Sequence, residues 1–190
     1  MSGRWCLAGL LLCAFCAQAD ERVTVCFNYG CLTQAEVVYD DGQLRELGQL
    51  LAPAQDAADE RAAIAIAVGR LLGWAGKQSP IFADRGGNYA DGGGNGMMDC
   101  IDHSTTTTRL LRLIDAQGWL HYHRVLEPVL RRSFLIFDHY SALIEETDAA
   151  TATDERRYVV DSWFFDNGQP AAVMPLARWQ AGEYPDGAQQ

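Results

Sequence analysis

Cys100, His139 and Asp161 carry the side chains an acyl-transfer reaction needs: a nucleophile, a base, and a group that can orient the base. Cys100 stands in Met98-Asp99-Cys100-Ile101-Asp102-His103, where a glycine-rich loop gives way to a helical pattern. A sulfur at a helix start meets unsatisfied N–H groups and the positive end of the helix dipole, which favour a thiolate. The same position also suits a buried cysteine acting as a small hydrophobe, and position alone does not choose between the two. On a helical wheel Ser104, Thr107, Leu111 and Ile114 fall on the side of Cys100, and Arg109 and Arg112 on the other. The sulfur is therefore expected to face the interior.

His139 lies in a strand-like run, Asp138 to Glu145, in which His139, Ser141 and Leu143 share a face. Asp161 lies in Tyr158-Val159-Val160-Asp161-Ser162-Trp163, the next strand-like run. The polar stretch between them, residues 147–155, reads as a hairpin loop. Centred near Ala150, such a hairpin sets His139 directly opposite Asp161, with Cβ atoms about 5 Å apart. The helix of Cys100 is expected to lie over that face. An acid among Val159, Val160 and Trp163 is costly to bury unless paired, and an imidazole is a suitable partner.

These residues carry a resemblance. Asp99-Cys100-Ile101-Asp102 at a helix start, His139-Tyr140-Ser141-Ala142-Leu143, and Val159-Val160-Asp161 occur in the order and setting of the bacterial transglutaminase-like cysteine proteinases. The chain is similar to that family over residues 95–165. The resemblance implies a transglutaminase-like, papain-like core and a Cys-His-Asp triad acting on a peptide or protein substrate without a cofactor or metal. Cys100 would attack the carbonyl, His139 would protonate the departing amine and Asp161 would hold the ring. The backbone N–H of Cys100 is a natural oxyanion donor, and Asn95, Asn88 and Trp74 are candidates for the second. Water as acceptor gives a peptidase or amidase; an amine gives a transglutaminase.

Two rivals use the same residues. Cys100, His103, His121, His123 and His139 could ligate zinc, with Cys100-x-x-His103 at helical spacing and His121-x-His123 on one strand face. A catalytically silent module of the same fold could bind peptide without thiol chemistry. The bland reading of His121 and His123 is alternation on an exposed strand face.

The elements that must position these groups read as α+β: an N-terminal hairpin and helices packed on an antiparallel β-sheet. With 190 residues, 48% hydrophobic and 21% charged, the chain is neither disordered nor collagenous nor a coiled coil. A net charge of −10 without a basic run argues against nucleic acid and anionic membranes as partners. Residues 1–19 have the layout of a signal peptide cut after Ala19: Arg4, an apolar run, then Ala17-Gln18-Ala19. A secreted or periplasmic location is expected, with residues 20–190 as one domain and no membrane attachment after cleavage. Three cysteines then remain. Cys26 and Cys31 flank Phe27-Asn28-Tyr29-Gly30, whose turn chemistry could bring the sulfurs together in a structural disulfide and leave Cys100 unpaired.

Leu44, Leu47, Leu50 and Leu51 recur at helical spacing up to Pro53; a second helix starts at Asp56, with Ala62 to Val68 reading as buried. A third runs from Cys100 to Gln117. Strands are expected over residues 23–27, 32–39, 119–126, 134–145, 156–165 and 171–174. Arg131-Arg132 reads as a basic turn, and the tail after Trp179 as frayed. The glycine-rich stretch 79–98 lacks the GxxxxGK[ST] pattern, so it is no nucleotide loop; its glycines could let a substrate backbone come close.

Overall fold

A computed structural model describes residues 20–87, 94–133, 137–147 and 154–188. The expected signal segment, Asn88 and the turn near Ala150 lie outside the described residues. Strands β1 (Glu21–Phe27) and β2 (Thr33–Tyr39) form an antiparallel hairpin, paired from Glu21 with Tyr39 to Phe27 with Thr33. Val23, Val25, Phe27, Val37 and Tyr39 turn inward at period two.

Helix α1 (Asp41–Leu51) starts from a capping box in which Asp40 and Gln43 satisfy each other's backbone N–H, and it buries Leu44, Leu47 and Leu51. Helix α2 (Ala57–Gly76) is capped by Asp56 as expected. Its middle is less enclosed than its composition implies. Ile64, Ala67 and Val68 are buried, while Ala62 and Ile66 face solvent. A 3-10 turn at Pro80–Ala83 follows, then α3 (Cys100–Ala116).

The second sheet has the order β3-β4-β5-β6, each pair antiparallel: β3 (His123–Ser133), β4 (Phe137–Glu146), β5 (Arg157–Asp161) and β6 (Ala172–Pro175). The fold is α+β, with two antiparallel sheets and four α-helices among the described residues; the last helix is α4 (Leu176–Gln180).

Several boundaries differ from expectation. β3 starts at His123, not Trp119, and continues through Pro128 because a register shift between Leu126 and Val129 absorbs the missing N–H donor. Arg131 and Arg132 are thus strand residues, not a turn. β5 stops at Asp161; residues 162–165 do not continue it. The segment leading into the tail is anchored by the fully buried Trp179; beyond it the chain is mostly exposed, with the Tyr184 ring 5.7 Å from that of Phe164.

Alternation sends the two faces of the sheet into different cores. Ala142, Ile144 and Val160 pack with Leu110, Leu111 and Ile114 of α3 and with α1 and α2. Leu143 and Val159 pack with Trp163, Phe164, Met174, Leu176 and Trp179. His139 and Asp161 have the parity of this second face. The α3 helix therefore covers the opposite face from the one expected, and Cys100 comes to His139 from the helix end, not from above. Both faces are apolar, so the alternation could not say which one the helix would take.

Candidate active site

Cys100 is the first residue of α3, and Asp99 is its cap. Asp99 Oδ1 accepts from the N–H groups of Ile101 and Asp102, and Asp102 Oδ2 accepts from the Asp99 N–H at 3.2 Å, a reciprocal box around the cysteine. Cys100 is a free thiol and half-buried. Its Sγ is directed at the carbonyl oxygen of Asp138, 3.8 Å away, at the start of β4. Ser104, Thr107, Leu111 and Ile114 are buried as the wheel implies.

His139 Nε2 bonds Asp161 Oδ2 at 2.8 Å. The register is two residues from the expected one: Ala142 pairs with Val160, so Asp161 falls beside Ser141 and meets His139 on the diagonal. A two-residue slip preserves the face, and an imidazole spans the longer diagonal. Asp161 is buried and fully engaged. Its Oδ2 also accepts from Trp179 Nε1 at 2.9 Å, and its Oδ1 accepts from the Trp163 N–H at 3.2 Å. Burial opposes the charge on this acid, but His139 and these donors hold it below the usual carboxylate range.

The ring of His139 sits among Trp163, Phe164 and Trp179, with centroids 5.0, 5.8 and 5.7 Å away. Burial would lower its pKa. The charge and hydrogen bond of Asp161, and those of the Cys100 side chain beside it, outweigh burial and raise it to about 9. With Nε2 spent on Asp161, Nδ1 is the nitrogen left for the sulfur. Arg131, opposite His139 in the β3–β4 ladder, steadies Trp179: Nη1 donates to the Trp179 carbonyl at 2.6 Å, and the guanidinium lies 4.7 Å from the Trp179 ring centroid.

The oxyanion candidates fare differently. Asn95 is exposed, and its Oδ1 accepts from Asn28 Nδ2 at 3.3 Å. Trp74 belongs to α2 and packs against the main core, its ring 6.5 Å from that of Tyr39. Asn88 lies outside the described residues. Two of the glycines expected to admit a substrate backbone, Gly86 and Gly96, serve the protein's own chain. A Cβ on Gly86 would lie 2.4 Å from Phe165 Cα, and one on Gly96 2.0 Å from the Pro80 carbonyl oxygen.

Three of the four histidines of the zinc reading are each committed to a different acid, and the fourth, His121, is exposed. His103 Nε2 lies 3.0 Å from Asp84 Oδ2, His123 Nδ1 2.7 Å from Glu60 Oε2, and His139 is on Asp161. His123 is buried, not on an exposed face, because the buried Glu60 carboxylate needs a partner there. Among the described residues, one group of three potential ligands lies within 4.8 Å: Cys26, Cys31 and Asp102. The two sulfurs are bonded to each other, with Cα atoms 4.7 Å apart, as the spacing predicted.

Sequence reasoning missed three supports. Trp179 was read as the edge of a frayed tail. Arg131 was read as a turn. The third is a buried chain from Asp84 through His103 to Ser162, with His103 Nδ1 2.8 Å from Ser162 Oγ and Thr107 Oγ1 2.9 Å from the same oxygen. It ties α3 to the residue after Asp161. The adjacency of Asp102-His103 to the cysteine was the one available signal for it.

Comparison with protein-family models, with curated proteins and with solved structures found no match to the chain.

Proposed function

We propose that this chain is an exported, cysteine-dependent acyl-transfer enzyme of the transglutaminase-like kind, acting on a peptide or other carboxamide. The observation that carries the reading is the 2.8 Å bond from His139 Nε2 to the buried Asp161, on an imidazole whose pKa is raised, against burial, first by Asp161 and then by the neighbouring Cys100. The reading is supported by the residue types these elements supply: a cysteine at the start of α3, a histidine on β4 and a buried acid at the end of β5 are the nucleophile, base and orienting group that such chemistry uses.

The Cys100 sulfur attacks the carbonyl carbon and a C–S bond forms. The oxyanion is met by the N–H of Cys100, which at the first helical position has no partner within the helix. The C–N bond then breaks, and the amine leaves with a proton from the His139 imidazolium. A thioester remains on Cys100. Water or a second amine gives a proton back to His139 and attacks the thioester carbonyl; the C–S bond breaks, Cys100 leaves as the thiolate, and the acceptor decides between hydrolysis and transamidation. Asp161 stays ionised throughout and keeps the ring aimed.

The test is capture by a peptide vinyl sulfone. The wild-type protein is expected to form an adduct at Cys100 and Cys100→Ala none. His139→Ala should slow capture by about a hundredfold or more, the usual range for losing a positioned acid–base group. Equal capture in the wild type and His139→Ala would overturn the pairing.

A further inference from the structure

Asn28, Tyr29, Gly30 and Cys31 have φ values of +64, +65, +61 and +57°. Four consecutive left-handed residues, three with a side chain, form a conformation that local sterics disfavour. Two ties hold it. One is the Cys26–Cys31 disulfide that closes the loop. The other is the start of α3. The N–H groups of Tyr29 and Cys31 donate to Asp102 Oδ2 and Oδ1 at 2.8 and 2.6 Å, and that of Gly30 to Asp99 Oδ2 at 2.8 Å.

These are the two acids that bracket Cys100. Asn28 holds the approach to the cysteine as well: its N–H donates to the Met97 carbonyl at 2.8 Å, and its Oδ1 accepts from the Gly96 N–H at 2.9 Å. Cys100 is thus gripped on both sides by one six-residue disulfide loop that contributes no reacting atom.

We propose that the Cys26–Cys31 loop, acting through Asp99 and Asp102, is the positioning element of Cys100, so that reduction of this disulfide releases the first turn of α3 and switches the site off. The consequence for activity rests on the enzymatic reading above; the release of the helix start does not.

The bond is placed for reduction. Cys31 is half-exposed, whereas Cys26 is buried, with Arg109 Nη1 3.3 Å from its sulfur. A dithiol reductant attacks Cys31 with one thiolate. The S–S bond breaks, and Cys26 leaves as a thiolate beside the Arg109 cation. The reductant's second thiol then displaces Cys31 and closes a disulfide on the reductant. Two electrons and two protons pass to the protein, which ends with two thiols.

The test has two readouts. In hydrogen exchange, treating the wild-type protein with dithiothreitol until Cys26–Cys31 is reduced should speed exchange of the amides of residues 99–104 by about tenfold or more, with α2 unchanged. Unchanged protection at 99–104, or loss of protection in α2 as well, would overturn the proposal, because the disulfide would then be idle or a global staple. In vinyl-sulfone capture at Cys100, the Cys26→Ser/Cys31→Ser protein and Asp102→Asn should each be slower by about tenfold or more, a displaced nucleophile being that costly. Wild-type rates in both would overturn the proposal, and Asp102→Asn, which keeps the disulfide, decides if the double variant does not fold. Exchange needs no reactive thiol, so a wild-type protein inert to the probe counts against the enzymatic reading alone.

Discussion

His139 and Asp161 meet along a diagonal of the β4–β5 ladder, and the oxygen that His139 bonds, Asp161 Oδ2, is also held by Trp179 Nε1. The acid is thereby fixed from the strand on one side and from a C-terminal helix on the other. A buried carboxylate with three donors cannot rotate to follow the ring; the ring must adopt the orientation the carboxylate dictates.

Asp161→Asn should therefore slow Cys100 capture by about a hundredfold, since an amide can present an N–H to Nε2 and favour the wrong tautomer. Trp179→Phe keeps most of the bulk and removes one donor. It should lower stability by about 1.5–3 kcal/mol, the range for a hydrogen bond to a charged group, and slow capture only several-fold. Denaturant unfolding and probe kinetics on both variants check this, and a Trp179→Phe protein of wild-type stability would count against the bond.

The pH dependence has a defined sign. Burial opposes the charge on His139, but Asp161 and Cys100 raise its pKa from 6.5 to about 9. The folded protein thus binds this proton more tightly than the unfolded chain does. The resulting stabilisation is complete below about pH 6.5 and is lost as pH rises through about 9. Asp161 behaves oppositely: its depressed pKa contributes stability above the usual carboxylate value, lost as pH falls through the depressed one. The gap in melting temperature between the wild type and His139→Gln should be widest near pH 6 and shrink toward about pH 10. A gap that stays constant across that range would contradict the assignment.

Glu60 should separate stability from chemistry. It is fully buried and accepts from the N–H groups of His121 and Tyr122 and from His123 Nδ1, at 2.6, 3.1 and 2.7 Å. Burial would raise its pKa, but these donors hold it below the ordinary range. Glu60→Ala strands His123 and two amides and should cost about 3 kcal/mol or more. Below its lowered melting temperature, Cys100 capture should match the wild type; a large loss of capture would mean that this end of the sheet bears on the site.

The three candidate residues were legible because residue type and local pattern carry them. A cysteine after Asp99 at a helix start reads as such from capping chemistry alone. The partnership of His139 with Asp161 was read through a register off by two, and it survived because strand side chains repeat every two residues. The slip itself was not readable, since the polar stretch between the strands has no apolar pattern to set the register. Arg131 and Trp179 were misread for a related reason: a proline and a short polar tail suppress the periodic signal in segments that tertiary contacts nonetheless order.

The sequence by itself determined the α+β class, the order of the main elements as far as β6, the capped start of α3, the Cys26–Cys31 pair, and the common face of His139 and Asp161. These follow from short-range rules: capping, period, turn chemistry and chain proximity. Only the tertiary structure decided which face of the sheet α3 covers, that Trp179 returns to bond Asp161, and that a left-handed disulfide loop grips Asp99 and Asp102. Each of those joins residues more than fifteen positions apart, where the choice among apolar faces and among hydrogen-bond partners depends on how the whole chain packs.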